Sequence, residues 1–305
     1  MVVYRELSFL CHDLGFSARA LYTASNTVEK HYHNVEIPKA NGEKRLLHVP
    51  DDFMKAIQSS IAINILSREE ISPYAMAYRV GGSTKANARP HVGKEMVMKC
   101  DIRKFFDHIT YPMIREKVFP TSKYSESNSI LLSILCVYSH ATPQGAPTSP
   151  AISNIILRDF DNRVGAWCQE RKITYTRYCD DMTFSGIFNP QELKEMLKRE
   201  LFKEGFFLNS KKTVVLSPGQ RMEVTGIVVN EKVSIPNNYK KSLRQELHYC
   251  RKFGIDSHLE RINKTTSADA YGRSLLGRVN YILSVEPEND EMKGYKTWLL
   301  SQMKA

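Results

Sequence analysis

The ten residues Tyr175-Thr176-Arg177-Tyr178-Cys179-Asp180-Asp181-Met182-Thr183-Phe184 constrain this chain more than any other stretch. β-branched, aromatic and apolar residues alternate on both sides of two adjacent aspartates, the pattern of strand, tight turn and strand with the acids at the tip. Adjacent aspartates in general are mostly solvated turn residues. Here the flanks force two carboxylates together on a stiff hairpin. Both stay ionised at short range only if a cation sits between them, and a hard divalent ion with oxygen ligands meets that need.

A second segment, Met96-Val97-Met98-Lys99-Cys100-Asp101-Ile102, reads as another apolar strand ending in a carboxylate, and residues 103–109 read as the opening of a helix. One acid from this strand and two from the hairpin suit a pair of Mg2+ ions that clamp the attacking and leaving oxygens of a phosphoryl transfer, the chemistry of polymerases. Here the chain resembles the reverse transcriptases. Asp101 stands where their first catalytic motif puts an aspartate, and Tyr178-Cys179-Asp180-Asp181 matches their Tyr-X-Asp-Asp box. Many relatives have Ala or Val in place of Cys179, which leaves the metal ligands Asp101, Asp180 and Asp181 untouched.

The resemblance implies an α+β right-hand polymerase fold. A helical N-terminal extension would cover residues 1–35 and fingers 36–97. An antiparallel-sheet palm would cover 98–235, with a finger insertion around 113–143, and a helical thumb 236–305. Residues 37–50 carry the Asn41-Gly42 signature of a hairpin turn. Its Lys44-Arg45 pair is either a solvated strand edge or, as the resemblance implies for Arg45, a grip on the incoming triphosphate. Arg79, ahead of Gly81-Gly82, matches the second finger arginine of the family. Phe106 would lie under the sugar and reject ribonucleotides by clash, or be a core phenylalanine of the palm, with Phe105 as its competitor for the role.

Gln144 and Gly145, in the family's Pro-Gln-Gly loop, would pack near the templating base and the nucleotide. Lys212 would protonate departing pyrophosphate, or be a solvated surface lysine. Asn154, one turn into an apolar helix at 152–160, is either a polar contact or a satisfied helix residue. A helix over 51–70, an amphipathic helix over 190–204, and two short strands over 224–235 turning at Asn230-Glu231 complete the local reading.

Asn87-Ala88-Arg89-Pro90-His91 and Val224-Thr225-Gly226 fit two signatures that together mark the bacterial retron reverse transcriptases. This narrower resemblance implies that Asn87, His91 and Thr225 bind a cognate structured non-coding RNA. It also implies that synthesis starts from an internal 2′-hydroxyl to give branched RNA-DNA (msDNA). Deoxynucleoside triphosphates and nascent DNA are the other partners. A role in anti-phage defence with a separate effector protein is implied as well. No room is left for a ribonuclease H domain, so a host ribonuclease H would remove RNA. The alternatives are a group II intron-like or diversity-generating enzyme priming from a 3′ end, and a catalytically idle RNA-binding scaffold.

Charge fits either a polyanionic partner or a merely basic protein: 43 Lys and Arg against 33 Asp and Glu give +10 and a pI near 9.2. After residue 236 two or three basic helices are expected, with Lys240, Lys241, Arg244, Arg251 and Arg273 for phosphates and Tyr239, Tyr249, Tyr271 and Tyr281 for stacking or core. Six cysteines without a Cys-X-X-Cys pair imply neither zinc nor a disulfide framework. His31 and His33 lack an acid or cysteine nearby and read as a surface aromatic cluster. No stretch reaches the roughly 20 apolar residues of a membrane span, so a cytoplasmic location is expected.

Overall fold

The computed structural model describes residues 4–38, 42 and 44–303. Two short helices, α1 (Leu7–Leu14) and α2 (Ala18–Asn26), precede an antiparallel hairpin of β1 (Tyr32–Pro38) and β2 (Lys44–Pro50), in which Ile37 faces Arg45. Asn41 of the expected turn lies outside the described residues. α3 (Asp52–Asn64) starts where the sequence places it: the Asp51 side chain accepts a hydrogen bond from Met54 N at 2.8 Å, and Met54, Ile57 and Ile61 are buried.

Then come α4 (Thr84–Ala88), β3 (Val97–Asp101), α5 (Tyr111–Lys117), α6 (Glu126–Leu135), α7 (Ser149–Ile156) and α8 (Arg158–Glu170). The aspartate hairpin is β4 (Thr174–Tyr178) and β5 (Asp181–Ser185). α9 (Pro190–Lys203) is capped by Asn189 and buries Leu193, Leu197 and Leu201, one residue per turn of one face. β6 (Val214–Leu216), β7 (Glu223–Val224) and β8 (Ile227–Val228) lead into α10 (Asn237–Phe253), α11 (Ile255–Arg261), α12 (Ala268–Val285) and α13 (Asp290–Gln302).

Three local expectations are corrected. Residues 103–109 do not open a helix: Lys104 sits at φ 48, which breaks helical continuity, and only a 3-10 turn at Phe106–His108 follows before α5. The strands after residue 222 turn first at Thr225-Gly226, both at positive φ, and only then around Asn230 toward a bridge between Val228 and Ser234. Among the described residues four helices, rather than two or three, follow residue 236.

The chain forms two compact units, one from residues 1–82 and 98–215, the other from 83–97 and 216–305. The first contains a four-stranded sheet in the order β4-β5-β3-β6, over a core that includes Met98, Ile102, Ile152, Phe160, Phe184 and Leu197. That order sets the end of β3, and so Asp101, beside the hairpin that carries Asp180 and Asp181. The second unit packs Val224, Ile227, Leu243, Leu247, Leu275, Val279 and Ile282 into its own core.

Candidate active site

β4 and β5 are closed by the pair Tyr178–Asp181, leaving Cys179 and Asp180 as a two-residue loop. Cys179 has φ 61, a left-handed conformation that costs a residue with a Cβ roughly 1–2 kcal/mol. Arg177 holds it there. This side chain is fully buried, and its Nη1 donates to the Cys179 carbonyl at 2.8 Å. Its Nε and Nη2 donate to the carboxylate of buried Asp161 at 2.9 and 2.6 Å, and Nη2 also reaches Asn154 Oδ1 at 3.2 Å. Tyr175 Oη donates to the same carboxylate at 2.7 Å. A buried ion pair is tolerable only with such additional hydrogen bonds.

Asp101 meets the hairpin from the neighbouring strand, and Ile102 N donates to the Asp180 carbonyl at 3.0 Å. Asp101 is buried, with Asn209 Nδ2 at 2.8 Å on one carboxylate oxygen and Lys212 Nζ at 2.6 Å on the other. Asp180 is half-buried and Asp181 exposed. Desolvation, then the charges of Asp180 and Asp101, pushes the Asp181 carboxyl up to about 6. Asp180 is raised by desolvation and then by Asp101. Lys212 is raised chiefly by its hydrogen bond to Asp101, so it stays protonated. Among the described residues no three His, Cys, Asp or Glu side chains are already closed around one point. The carboxylates nevertheless fit a hard cation chemically: all are oxygen donors, and two of them gain proton affinity from desolvation and then from neighbouring carboxylates, whose repulsion a divalent ion would relieve.

Around the acids, Phe105 is buried between Phe106 and Phe206, with ring centroids 5.3 and 5.5 Å away, while Phe106 itself is half-buried. Arg45 is exposed on β2 with no ion pair among the described residues. Arg79 is exposed, its Nη1 3.3 Å from the carbonyls of Pro73 and Ala75. The Gln144 carbonyl accepts from His48 N at 3.0 Å. Gly145 has φ 121, and a Cβ there would stand 3.0 Å from the His48 carbonyl, so a side chain would be both strained and tight against the strand. Asn154 is a satisfied linker, donating to the Ala77 carbonyl at 2.8 Å. His31 binds Asp51 at 2.7 Å and Thr27 at 3.0 Å, a hydrogen-bonded histidine.

The two signature motifs meet in the second unit. Asn87 Nδ2 donates to Thr225 Oγ1 at 3.3 Å, and Thr225 Oγ1 to the Thr84 carbonyl at 3.3 Å, around a turn where Thr225 and Gly226 have φ 46 and 80. Asn87 and His91 are 1% and 0% exposed. Both side chains lie under the surface. Asn87 Oδ1 is buried without a partner. Burial, then Lys94, lowers His91 to about 4. Of the helical cations, Lys240, Arg244 and Arg273 are tied to Glu286, Glu291 and Asp269, whereas Lys241 and Arg251 are exposed without an ion pair among the described residues.

The Arg177–Asp161 pair was not anticipated from the sequence, although one signal existed. Arg177 shares the face of β4 with Tyr175, and a charged residue on a buried face requires a buried counter-ion.

Two carboxylates at a hairpin tip beside a third on the adjacent strand define a polymerase-class palm. The reverse transcriptase (RNA-dependent DNA polymerase) family matches residues 37–241. The retron Mx65 reverse transcriptase of Myxococcus xanthus is 30% identical over 95% of this chain and 70% of its own length. The retron Ec86 reverse transcriptase of Escherichia coli is 30% identical over 91% and 85%. Among solved structures, Candida albicans telomerase in complex with a TWJ fragment of telomeric RNA matches with a TM-score of 0.47 at 11% identity, covering 89% of this chain and 60% of that one, which adds nothing to the assignment. The chain belongs to the reverse transcriptases, RNA-directed DNA polymerases, and among them to the retron reverse transcriptases.

Proposed function

We propose that the protein copies part of a cognate structured non-coding RNA into DNA, in the cytoplasm, starting from an internal 2′-hydroxyl and leaving DNA joined to RNA by a 2′,5′ branch. The convergence of Asp101, Asp180 and Asp181 supports the chemistry, and the close similarity to retron enzymes supports the priming. Two Mg2+ ions held by these three carboxylates would supply activation of the attacking hydroxyl and charge stabilisation of the departing pyrophosphate. Asn209 orients the Asp101 carboxylate. Lys212 holds a proton at Nζ within reach of the same carboxylate and passes it to pyrophosphate. Phe106 closes the space a ribose 2′-hydroxyl needs, and Arg45 and Arg79 take the triphosphate. Gln144 and Gly145 border the templating base. Lys241 and Arg251, with the other helical cations once freed from their acids, hold RNA phosphates. Anti-phage defence with a separate effector is the setting this reading implies, checked by plaque counts with and without the active site.

An internal 2′-hydroxyl replaces a 3′ end only if the RNA around it is fixed, because misplacing a nucleophile by about 1 Å costs on the order of a hundredfold. The Asn87–Thr225 junction contributes by shaping the surface turn rather than by touching RNA. The test uses purified protein with its cognate RNA. Asp180→Asn or Asp181→Asn lowers DNA synthesis by at least about 10³-fold with folding retained. The parent's product is released from RNA by an enzyme that cuts 2′,5′ bonds. Near-normal synthesis by either variant overturns the chemistry, and product indifferent to debranching overturns the priming.

A further inference from the structure

We infer that Arg177 is a positioning residue for nucleotidyl transfer, fixing the aspartate turn and the Tyr78–Arg79 segment in one relation through Asp161 and Asn154. This rests on reading Asp180 and Asp181 as the catalytic pair. One arm of the guanidinium holds the carbonyl of Cys179, the residue before Asp180, in a backbone conformation that Cys179 would otherwise leave. The backbone of the same arginine is registered against the finger segment: Arg177 N donates to the Tyr74 carbonyl at 2.8 Å, and Met76 N donates to the Arg177 carbonyl at 2.7 Å. Asn154 extends the contact, accepting from Nη2 and donating to the Ala77 carbonyl. The next residue, Tyr78, has φ 58 and puts its hydroxyl 3.5 Å from Cys179 Sγ.

The carboxylates and the segment bearing Arg79 therefore meet at one buried residue, whose backbone pairs with the segment and whose side chain ties the turn to it through Asn154. Only a planar fork serves three directions at once. A lysine keeps the charge opposite Asp161 but cannot also reach the turn. Asp161 holds the fork, and Tyr175 holds Asp161.

A pair kept only for core stability is replaceable, since removing both charges together leaves no lone ion behind. A positioning pair is not. The double variant Arg177→Gln with Asp161→Asn keeps an acceptor for Tyr175 and a neutral, hydrogen-bonding core. It is compared with Arg177→Lys and the parent by single-nucleotide addition on an annealed primer-template. Expected for both variants are cooperative unfolding, a kcat lower by about a hundredfold, and a primer-template dissociation constant within about twofold of the parent. A folded variant with kcat within about threefold of the parent overturns the inference. So does a variant whose primer-template binding falls in parallel with kcat. If the double variant does not fold, Arg177→Lys decides. Asp181→Asn in the same assay separates the two failures: if it still extends primers, the catalytic reading is wrong whatever the Arg177 variants do.

Discussion

Of the positions where a residue other than glycine sits in the left-handed region, the turns at Cys179 and Thr225 are built on different principles. At Cys179 an ion pair does the holding: Arg177 and Asp161 are both fully buried, and their charged atoms are supplied with partners. At Thr225 neutral groups do it, through Asn87 and the Thr84 carbonyl, with one Asn87 oxygen left without a partner. The first turn bears two carboxylates that repel each other, so its backbone resists a force. The second bears none, and two weak hydrogen bonds with a following glycine suffice. Charge to be carried sets how much buried structure a turn requires.

The largest predicted effect tests the charged knot. Arg177→Ala strands Asp161 in the core and lowers stability by about 3–5 kcal/mol, measured by urea unfolding. A loss below about 1 kcal/mol would place the pair among dispensable ones. The next prediction separates the knots by pH. His91, beside the neutral one, is held neutral by burial, with its folded pKa near 4 below its ordinary 6.5. The unfolded chain thus binds the extra proton between those values, and stability rises with pH across that window. Relative to His91→Gln, the parent should lose on the order of 3 kcal/mol between pH 6.5 and pH 4. Parallel pH profiles for the two proteins would refute this. The smallest effect is on the neutral knot: Asn87→Ala costs only about 1 kcal/mol, since it also removes the unpaired oxygen. It should slow initiation on the cognate RNA more than extension of an annealed DNA primer. If it destabilises as much as Arg177→Ala, the contrast between the turns fails.

The aspartate hairpin was readable because its information is local: alternation and turn position are written within ten residues, and β4 and β5 fall where the pattern puts them. The same holds for Asp51 capping α3 and for the spacing of Leu193, Leu197 and Leu201. Lys104 was not readable, because its left-handed backbone depends on tertiary context that no neighbouring Gly or Asn announces. Arg177 was half readable. Its strand face demanded a buried acid, but nothing in the sequence pointed to Asp161 on α8. The burial of Asn87 and His91 was hidden for a related reason: a polar signature reads the same whether it faces solvent or braces a turn.

The contact between Gly145 and His48 has a practical corollary. With the Gln144 carbonyl bonded to β2, and with a Cβ at residue 145 tight against the His48 carbonyl and strained at φ 121, the hairpin and the Pro-Gln-Gly loop pack backbone to backbone. A hairpin grafted onto this loop has to keep the backbone path at His48, because the seam is made of backbone atoms that no rotamer change adjusts. A domain graft therefore keeps residues 143–147 together with the β2 backbone around His48.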